Sequence, residues 1–267
     1  MTDGTRDSLL YGNWPEVVRK IRARTPARVL TGRAGAAYRT GTQLDLREAH
    51  AGARDAVRAE LDMETQFGAE FIRKWGLFEV STAAGSKDNY LQRPNLGRIF
   101  SEESRAELRK RCTPQNDLQI IIGDGLSVTA VAAQVPALLP ALHDGAEARG
   151  WTVGQVFVIR HCRVGILNEI GELLLPGVAV LLIGERPGLA TAESLSAYMA
   201  YRPNKSHTDA ERNLISNIHA RGVSPADAAV RILDLAAQMM SARLSGTQLR
   251  VEPAAGEPPP TKCTISS

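Results

Sequence analysis

The chain has 267 residues, 43% of them hydrophobic and 23% charged, proportions that support a folded core and exclude wholesale disorder. Its net charge of +3 comes without a basic block or an aromatic-plus-basic ladder, which argues against nucleic acid as a partner. No apolar run approaches the roughly 20 residues of a membrane span, and Met1-Thr2-Asp3-Gly4-Thr5-Arg6-Asp7 lacks the apolar stretch of a signal peptide. The simplest expectation is a cytoplasmic protein.

At the amino end, Asn13-Trp14-Pro15-Glu16 predicts a helix start with Val17, Val18 and Ile21 on the apolar face. The glycine-punctuated stretch from Thr25 to Gly35 predicts a loop. From Asp45 to Met63, Leu46, Ala49, Ala53, Ala56, Val57 and Leu61 recur near a helical period. That helix is alanine-rich, so its apolar face buries little. Between Val80 and Phe100 the chain turns polar and predicts a solvated connector. Ser101 is then an N-cap candidate for a short charged helix.

The pattern becomes regular from Asp117. Leu118 to Ile122 predicts a strand that ends in Gly123-Asp124-Gly125-Leu126-Ser127 and leads to a helix reaching about Ala148. Val153 to Ile159 predicts the next strand, ending in Arg160 to Gly165, and Asn168 to Leu174 a short helix. Val178 to Ile183 predicts a third strand, ending in Gly184-Glu185-Arg186-Pro187-Gly188-Leu189, with a helix expected from about Ala192. Leu195 to Tyr201 suggests a further short strand, and Ser224-Pro225-Ala226-Asp227 opens a last helix running to about Leu244. The tail from Val251 to Ser267 is rich in proline and glycine and predicts disorder.

Strands alternating with helices predict an α/β fold, a mostly parallel Rossmann-like sheet flanked by helices, with a helical amino-terminal region. Three successive strands end in small or polar loops. In a parallel sheet those loops share one edge, where ligands of such sheets bind. Glu185 and Arg186 put both charge signs at that edge.

The chemistry of the ligand is narrowed by what is missing. Gly123-Asp124-Gly125 supplies two glycines of a dinucleotide fingerprint, but Val128 stands where the third belongs and Arg160 ends the next strand where an acidic residue is expected. None of the five histidines lies in the Asp-x-His-x-x-Gly context of a protein that replaces cobalamin's own base. Cys112, Cys162 and Cys263 form no Cys-x-x-Cys pair, and the histidines show no metal-ligand spacing. No motif for a catalytic nucleophile stands out.

Taken together, Gly123-Asp124-Gly125-Leu126-Ser127, Arg163-Val164, Glu169-Ile170-Gly171, Gly184 to Leu189, Asp209 to Arg212 and Ile215-Ser216-Asn217-Ile218 resemble the small (light) subunit family of ethanolamine ammonia-lyase. Similarity continues through Gly32-Arg33-Ala34-Gly35, Tyr90-Leu91-Gln92-Arg93-Pro94 and Leu244-Ser245-Gly246, covering about residues 15 to 250. The resemblance implies a subunit of an adenosylcobalamin-dependent carbon–nitrogen lyase that converts ethanolamine to acetaldehyde and ammonia. It implies a hetero-oligomer in which a TIM-barrel large subunit holds the substrate, while this chain binds base-on cobalamin at the interface. Residence in a bacterial microcompartment is known for some members.

By motif, the cofactor contacts fall on Val164, Glu185 and Leu214. Leu214 stands where the family often has cysteine, so a packing contact survives there and a thiol contact does not. The resemblance implies no catalytic or metal-binding residue in this chain. The expected division is residues 1–100 docking on the large subunit, residues 101–250 forming the cobalamin-binding domain, and residues 251–267 a tail. Two other functions fit the bare pattern: a nucleotide-dependent α/β oxidoreductase and a structural subunit without cofactor contacts. For Glu185 the ordinary alternative is a loop salt bridge with Arg186, and for Val164 it is core filling.

Overall fold

The computed structural model describes residues 15–25 and 27–250. The expected tail at 251–267 and the first residues of the predicted helix start, Asn13 and Trp14, lie outside them. In chain order the described elements are α1 (Glu16–Ala23), β1 (Arg33–Ala34), β2 (Ala37–Tyr38), α2 (Thr40–Arg58), α3 (Met63–Trp75), β3 (Glu79–Ser81), α4 (Lys87–Gln92) and α5 (Glu102–Arg111). They continue with β4 (Leu118–Gly123), α6 (Val128–Glu147), β5 (Phe157–Arg160), α7 (Ile166–Leu174), β6 (Val178–Gly184), β7 (Leu195–Tyr201), β8 (Asn213–Ile218) and α8 (Pro225–Ala242). Short 3₁₀ turns occur at Leu96–Arg98, Asp209–Glu211 and Gly246–Gln248.

The main sheet has six strands in the order β3-β5-β4-β6-β7-β8. The ladders β3–β5, β5–β4 and β4–β6 are parallel, and those of β7 with β6 and with β8 are antiparallel. The fold is therefore α/β with a mixed, mostly parallel sheet. β4 and β6 are buried along their whole length, and their side chains divide by the two-residue strand period. Leu118, Ile120, Ile122, Val178, Val180 and Leu182 join the core formed with α6 and α8. Ile121, Ala179, Leu181 and Ile183 face the second core, which α7 completes with Ile166 and Ile170. Each such aliphatic side chain contributes about 1.5–3 kcal/mol when fully buried.

The helix starts follow local chemistry. Ser127 and Ser224 accept hydrogen bonds from the N–H groups of Ala130 and Asp227, capping α6 and α8. Pro225 occupies the first turn of α8, where its missing N–H costs nothing. Ser101 caps α5 in the same way.

Four expectations are corrected. The helix expected at Asp45–Met63 is α2, which ends at Arg58; Asp62 then caps a separate helix, α3, by accepting the Thr65 N–H. The stretch from Thr25 to Gly35 is not all loop, because Arg33–Ala34 pairs with Ala37–Tyr38 in a small hairpin. The polar segment from Val80 to Phe100 is no solvated connector: β3 forms the sheet edge, and Tyr90 and Phe100 are fully buried. No helix begins at Ala192. The chain instead returns as β7, antiparallel to β6, since an antiparallel neighbour needs only a short loop whereas a parallel one needs a crossover.

Candidate functional site: a cleft at the carboxyl edge of the sheet

The parallel strands β4, β5 and β6 send their carboxyl ends to one edge, where the paths of the chain diverge. After β4 the chain crosses through α6; after β5 it crosses through α7 on the other face. This is a topological switch point, the place where open α/β sheets bind ligands.

Two glycines let the loops after β4 and β6 touch. Gly125 has φ +57°, and a Cβ there would lie 2.3 Å from the Gly184 carbonyl oxygen. A Cβ on Gly184 would lie 2.0 Å from the Ser127 carbonyl oxygen. The Leu126 N–H donates to the Gly184 carbonyl at 3.0 Å, closing the floor of the cleft.

The turn after β5 is clamped from several directions. His161 has φ +57°, unusual for a residue with a Cβ. The fully buried Asp124 carboxylate accepts the N–H groups of His161 and Cys162, each at 2.8 Å. Thr82 and Tyr90 donate their hydroxyls to the carbonyls of His161 and Cys162, both at 3.0 Å, and the Arg163 N–H donates to the Gly97 carbonyl. The Arg163 guanidinium lies 4.2 Å from the centre of the Tyr90 ring, a cation–π contact. Burial pushes the Asp124 carboxyl above the usual carboxylate range, against the opposing charge of buried Lys87 and the two N–H donors. Burial also pushes the Tyr90 hydroxyl well up, with Asp124 adding to it. The clamped turn delivers half-buried Val164 to the cleft.

Glu185, at the end of β6, is held by three donors. Its carboxylate accepts the Ser194 hydroxyl at 2.8 Å, the Ser196 hydroxyl at 2.6 Å and the Asn217 N–H at 3.0 Å. The carboxylate therefore ties β6 to β7 and β8, and the alternative of a salt bridge with Arg186 is replaced by these contacts. Two carboxylate oxygens have about four acceptor positions, so capacity for a further donor remains.

Leu214, on β8, is 47% exposed and forms an apolar wall. Val164, Glu185 and Leu214, drawn from three separate segments, line one cleft of about 320 Å³. Tyr90, Leu126, Ile183 and Tyr198 give it further apolar surface, and Arg163, Arg186, Ser196 and Ser216 give it polar groups. Burial, then the neighbouring Glu185 charge, raises the Tyr198 hydroxyl. Of these lining residues, Tyr198 and Ser196 carried no functional signal in the local pattern, whereas Ser216 lies in the Ile215-Ser216-Asn217-Ile218 motif; outside the lining, Asp124 and Lys87 show their roles only through long-range contacts. Away from the cleft, His143, Asp144 and Glu147 bring ligand atoms within 4.8 Å of one another on α6, an exposed arrangement common on helices without a metal.

Among the described residues, no helix is long and apolar enough to cross a membrane. The family model of the ethanolamine ammonia-lyase light chain (EutC) matches residues 15–250. Proteins named ethanolamine ammonia-lyase small subunit are similar over most of the chain. That of Clostridium perfringens is 40% identical over 235 residues, covering 88% of this chain and 78% of its own length. That of Clostridium acetobutylicum is 39% identical over 245 residues, covering 91% and 98%. That of Listeria innocua is 38% identical over 231 residues, covering 86% and 77%.

Proposed function

The chain belongs to the ethanolamine ammonia-lyase light-chain family, and from that premise we propose that its cleft binds adenosylcobalamin against a large catalytic subunit. The observation that carries this reading is the convergence of Val164, Glu185 and Leu214 on one cleft at the carboxyl edge. The residues present suit a corrin. The macrocycle is a broad apolar disc fringed by amides, and the cleft sets apolar Val164, Leu126, Ile183 and Leu214 beside acceptors and donors from Glu185, Ser196, Ser216 and Arg163. At about 320 Å³ the cleft takes one portion of so large a ligand, which leaves the remainder for a partner surface.

In this reading, Glu185 accepts hydrogen bonds from the amide fringe while its serine and backbone donors hold its orientation. Val164 packs against the ring or its nucleotide tail from the rigid turn after β5. Leu214 makes a packing contact that needs no thiol. The bound cofactor supplies homolysis of its cobalt–carbon bond, while this chain contributes binding and orientation. The partner is a large subunit built as a TIM barrel that holds ethanolamine and releases acetaldehyde and ammonia, so this chain is the small subunit of a hetero-oligomeric ammonia-lyase.

The outer face of the amino-terminal third suits the docking of that partner. On α2 only Thr42 is buried, while Val17, Ile21, Leu30, Tyr38 and Leu44 are exposed. The docking segment proposed here is narrower than residues 1–100, because α3 and β3 already pack on the sheet domain.

The test is a spectrophotometric titration of the co-expressed complex, and of the chain alone, with adenosylcobalamin and with NAD. Saturable cobalamin binding by the complex, weakened by Val164→Trp, supports the reading. Binding of NAD instead, or cobalamin binding by the large subunit that is unaltered by this chain, overturns it.

A further inference from the structure

Beside the cleft, on the far side of the Val164–Gly165 turn, lies a second cavity of about 430 Å³. Its basic side chains converge from three segments: Arg98 from the 3₁₀ turn before α5, Lys205 and His207 from the chain after β7, and Arg212 from the approach to β8. Gly165, at the amino end of α7, also lines it, and a helix amino terminus carries partial positive charge.

The carboxylates that line the cavity are already engaged. Glu169 accepts the Arg105 guanidinium at 2.7 Å and the Phe100 N–H at 2.5 Å. Asp209 pairs with Arg212. Lys205 has Glu172 at 3.6 Å. Arg98 is exposed and makes no ion pair among the described residues, and its stem lies across Gly165.

Arg212 is the most telling group. Its side chain is only 6% exposed; one end donates to the Asn168 side chain at 2.9 Å, yet its Nε is buried without a hydrogen-bond partner. Burial holds Arg212 below the usual guanidinium range, the paired Asp209 carboxylate opposes this, and the positive charge of Arg98 adds to the lowering more weakly. The His207 Nδ1 is likewise buried without a partner. Arg98, Arg212 and His207 thus line one cavity, and the last two each keep a buried nitrogen without a hydrogen-bond partner behind its wall.

We infer that this cavity is a binding site for a phosphate-class oxyanion, with Arg98, Arg212 and His207 as its donors. Guanidinium groups match the geometry of phosphate oxygens, and an anion here gives Arg98, which has no ion pair among the described residues, a partner. The anion has two sources, free phosphate or the phosphodiester of the cobalamin nucleotide loop. The second rests on the cofactor reading above; the anion site does not. Contiguity favours the loop, since Gly165 adjoins Val164 and Arg212 lies two positions before Leu214, both of them in the cleft.

The experiment uses the complex of this chain with the large subunit, as wild type and as Arg98→Gln and His207→Gln, with circular dichroism as the folding control. The probes are cyanocobalamin and dicyanocobinamide followed by absorbance, and inorganic phosphate followed by ³¹P line broadening. Dicyanocobinamide lacks the nucleotide loop and its phosphodiester. We expect each variant to weaken cyanocobalamin about tenfold, the loss of one charge-assisted hydrogen bond, and to leave dicyanocobinamide unchanged. Phosphate bound by the corrin-free wild type and displaced by cyanocobalamin identifies the loop as the source; phosphate lost in the variants but not displaced identifies free phosphate. If no corrin binds and Arg98-dependent phosphate binding persists, the cofactor reading fails and the anion site stands. Equal weakening of both corrins, or no response of any probe to either variant, overturns the site.

Discussion

At position 185 a carboxylate accepts two serine hydroxyls and a backbone N–H, so it braces the fold beside the cofactor role proposed for it. A glutamine keeps the shape, and the serine hydroxyls can turn to meet its amide, but the charge is gone. Hydrogen bonds to a charged group contribute about 1.5–3 kcal/mol against about 1 for neutral ones. Glu185→Gln is therefore expected to lower unfolding stability by about 1 kcal/mol and cobalamin affinity of the complex by roughly tenfold to a hundredfold. Glu185→Ala strands all three donors and is expected to destabilise further. Urea unfolding midpoints and the cobalamin dissociation constant are the measurements; an alanine variant with the wild-type midpoint would remove the bracing role. The thiols give a second residue-scale prediction. Burial pushes Cys112 up to about 11 and Cys162 well above the usual thiol range, so at pH 8 the thiolate fraction of Cys112 is only about one in a thousand. Both cysteines should resist iodoacetamide in the native chain and react on denaturation, as read by peptide mass spectrometry. Rapid native labelling of either would contradict the packing.

At the scale of elements, the cleft depends on close approach between strand ends. A Cβ at Gly184 meets the Ser127 backbone oxygen, which no side-chain motion can relieve. Gly184→Ala should therefore push the β4 and β6 loops apart at a cost of about 1–3 kcal/mol, lower the melting temperature and weaken cobalamin binding together. A variant with unchanged thermal stability would show that the loops have slack. The amino-terminal elements behave differently. α3 sets Phe67, Phe71, Ile72 and Trp75 against the sheet core, and Leu61 before it is buried, whereas α2 buries only Thr42. Deleting residues 1–58 should leave the sheet domain folded, with far-ultraviolet circular dichroism reduced only by the lost helices, while recovery with the large subunit falls. Undiminished co-purification of the truncated chain would move the docking surface elsewhere.

The whole molecule presents a cleft open to solvent, with Leu214 at 47% exposure and Arg186 and Ser216 at its rim. The radical chemistry of the proposed cofactor would need a site that excludes water, and one wall cannot provide it. The isolated chain is expected to release no acetaldehyde from ethanolamine with added adenosylcobalamin, and activity should appear only when the large subunit is supplied. Turnover by this chain alone would overturn the division of labour. Much of this architecture was legible in the sequence because it is local. The apolar runs at 118–122 and 178–183 mark buried strands, Ser101 and Ser224 sit where helix starts need acceptors, and the glycines after the strands mark loops on a shared edge. The family, too, was carried by short motifs. What only the tertiary structure decided is long-range. β7 and β8 close the sheet antiparallel, since local alternation carries no strand direction. Tyr90 is buried beneath the turn after β5 with its hydroxyl on the Cys162 carbonyl, and buried Lys87 lies 5.3 Å from the centre of the Tyr90 ring, its charge opposing that of Asp124. The partners of Glu185 lie 9, 11 and 32 residues away. Side-chain periodicity reports which face of an element is buried, but which distant group meets it depends on how the elements pack.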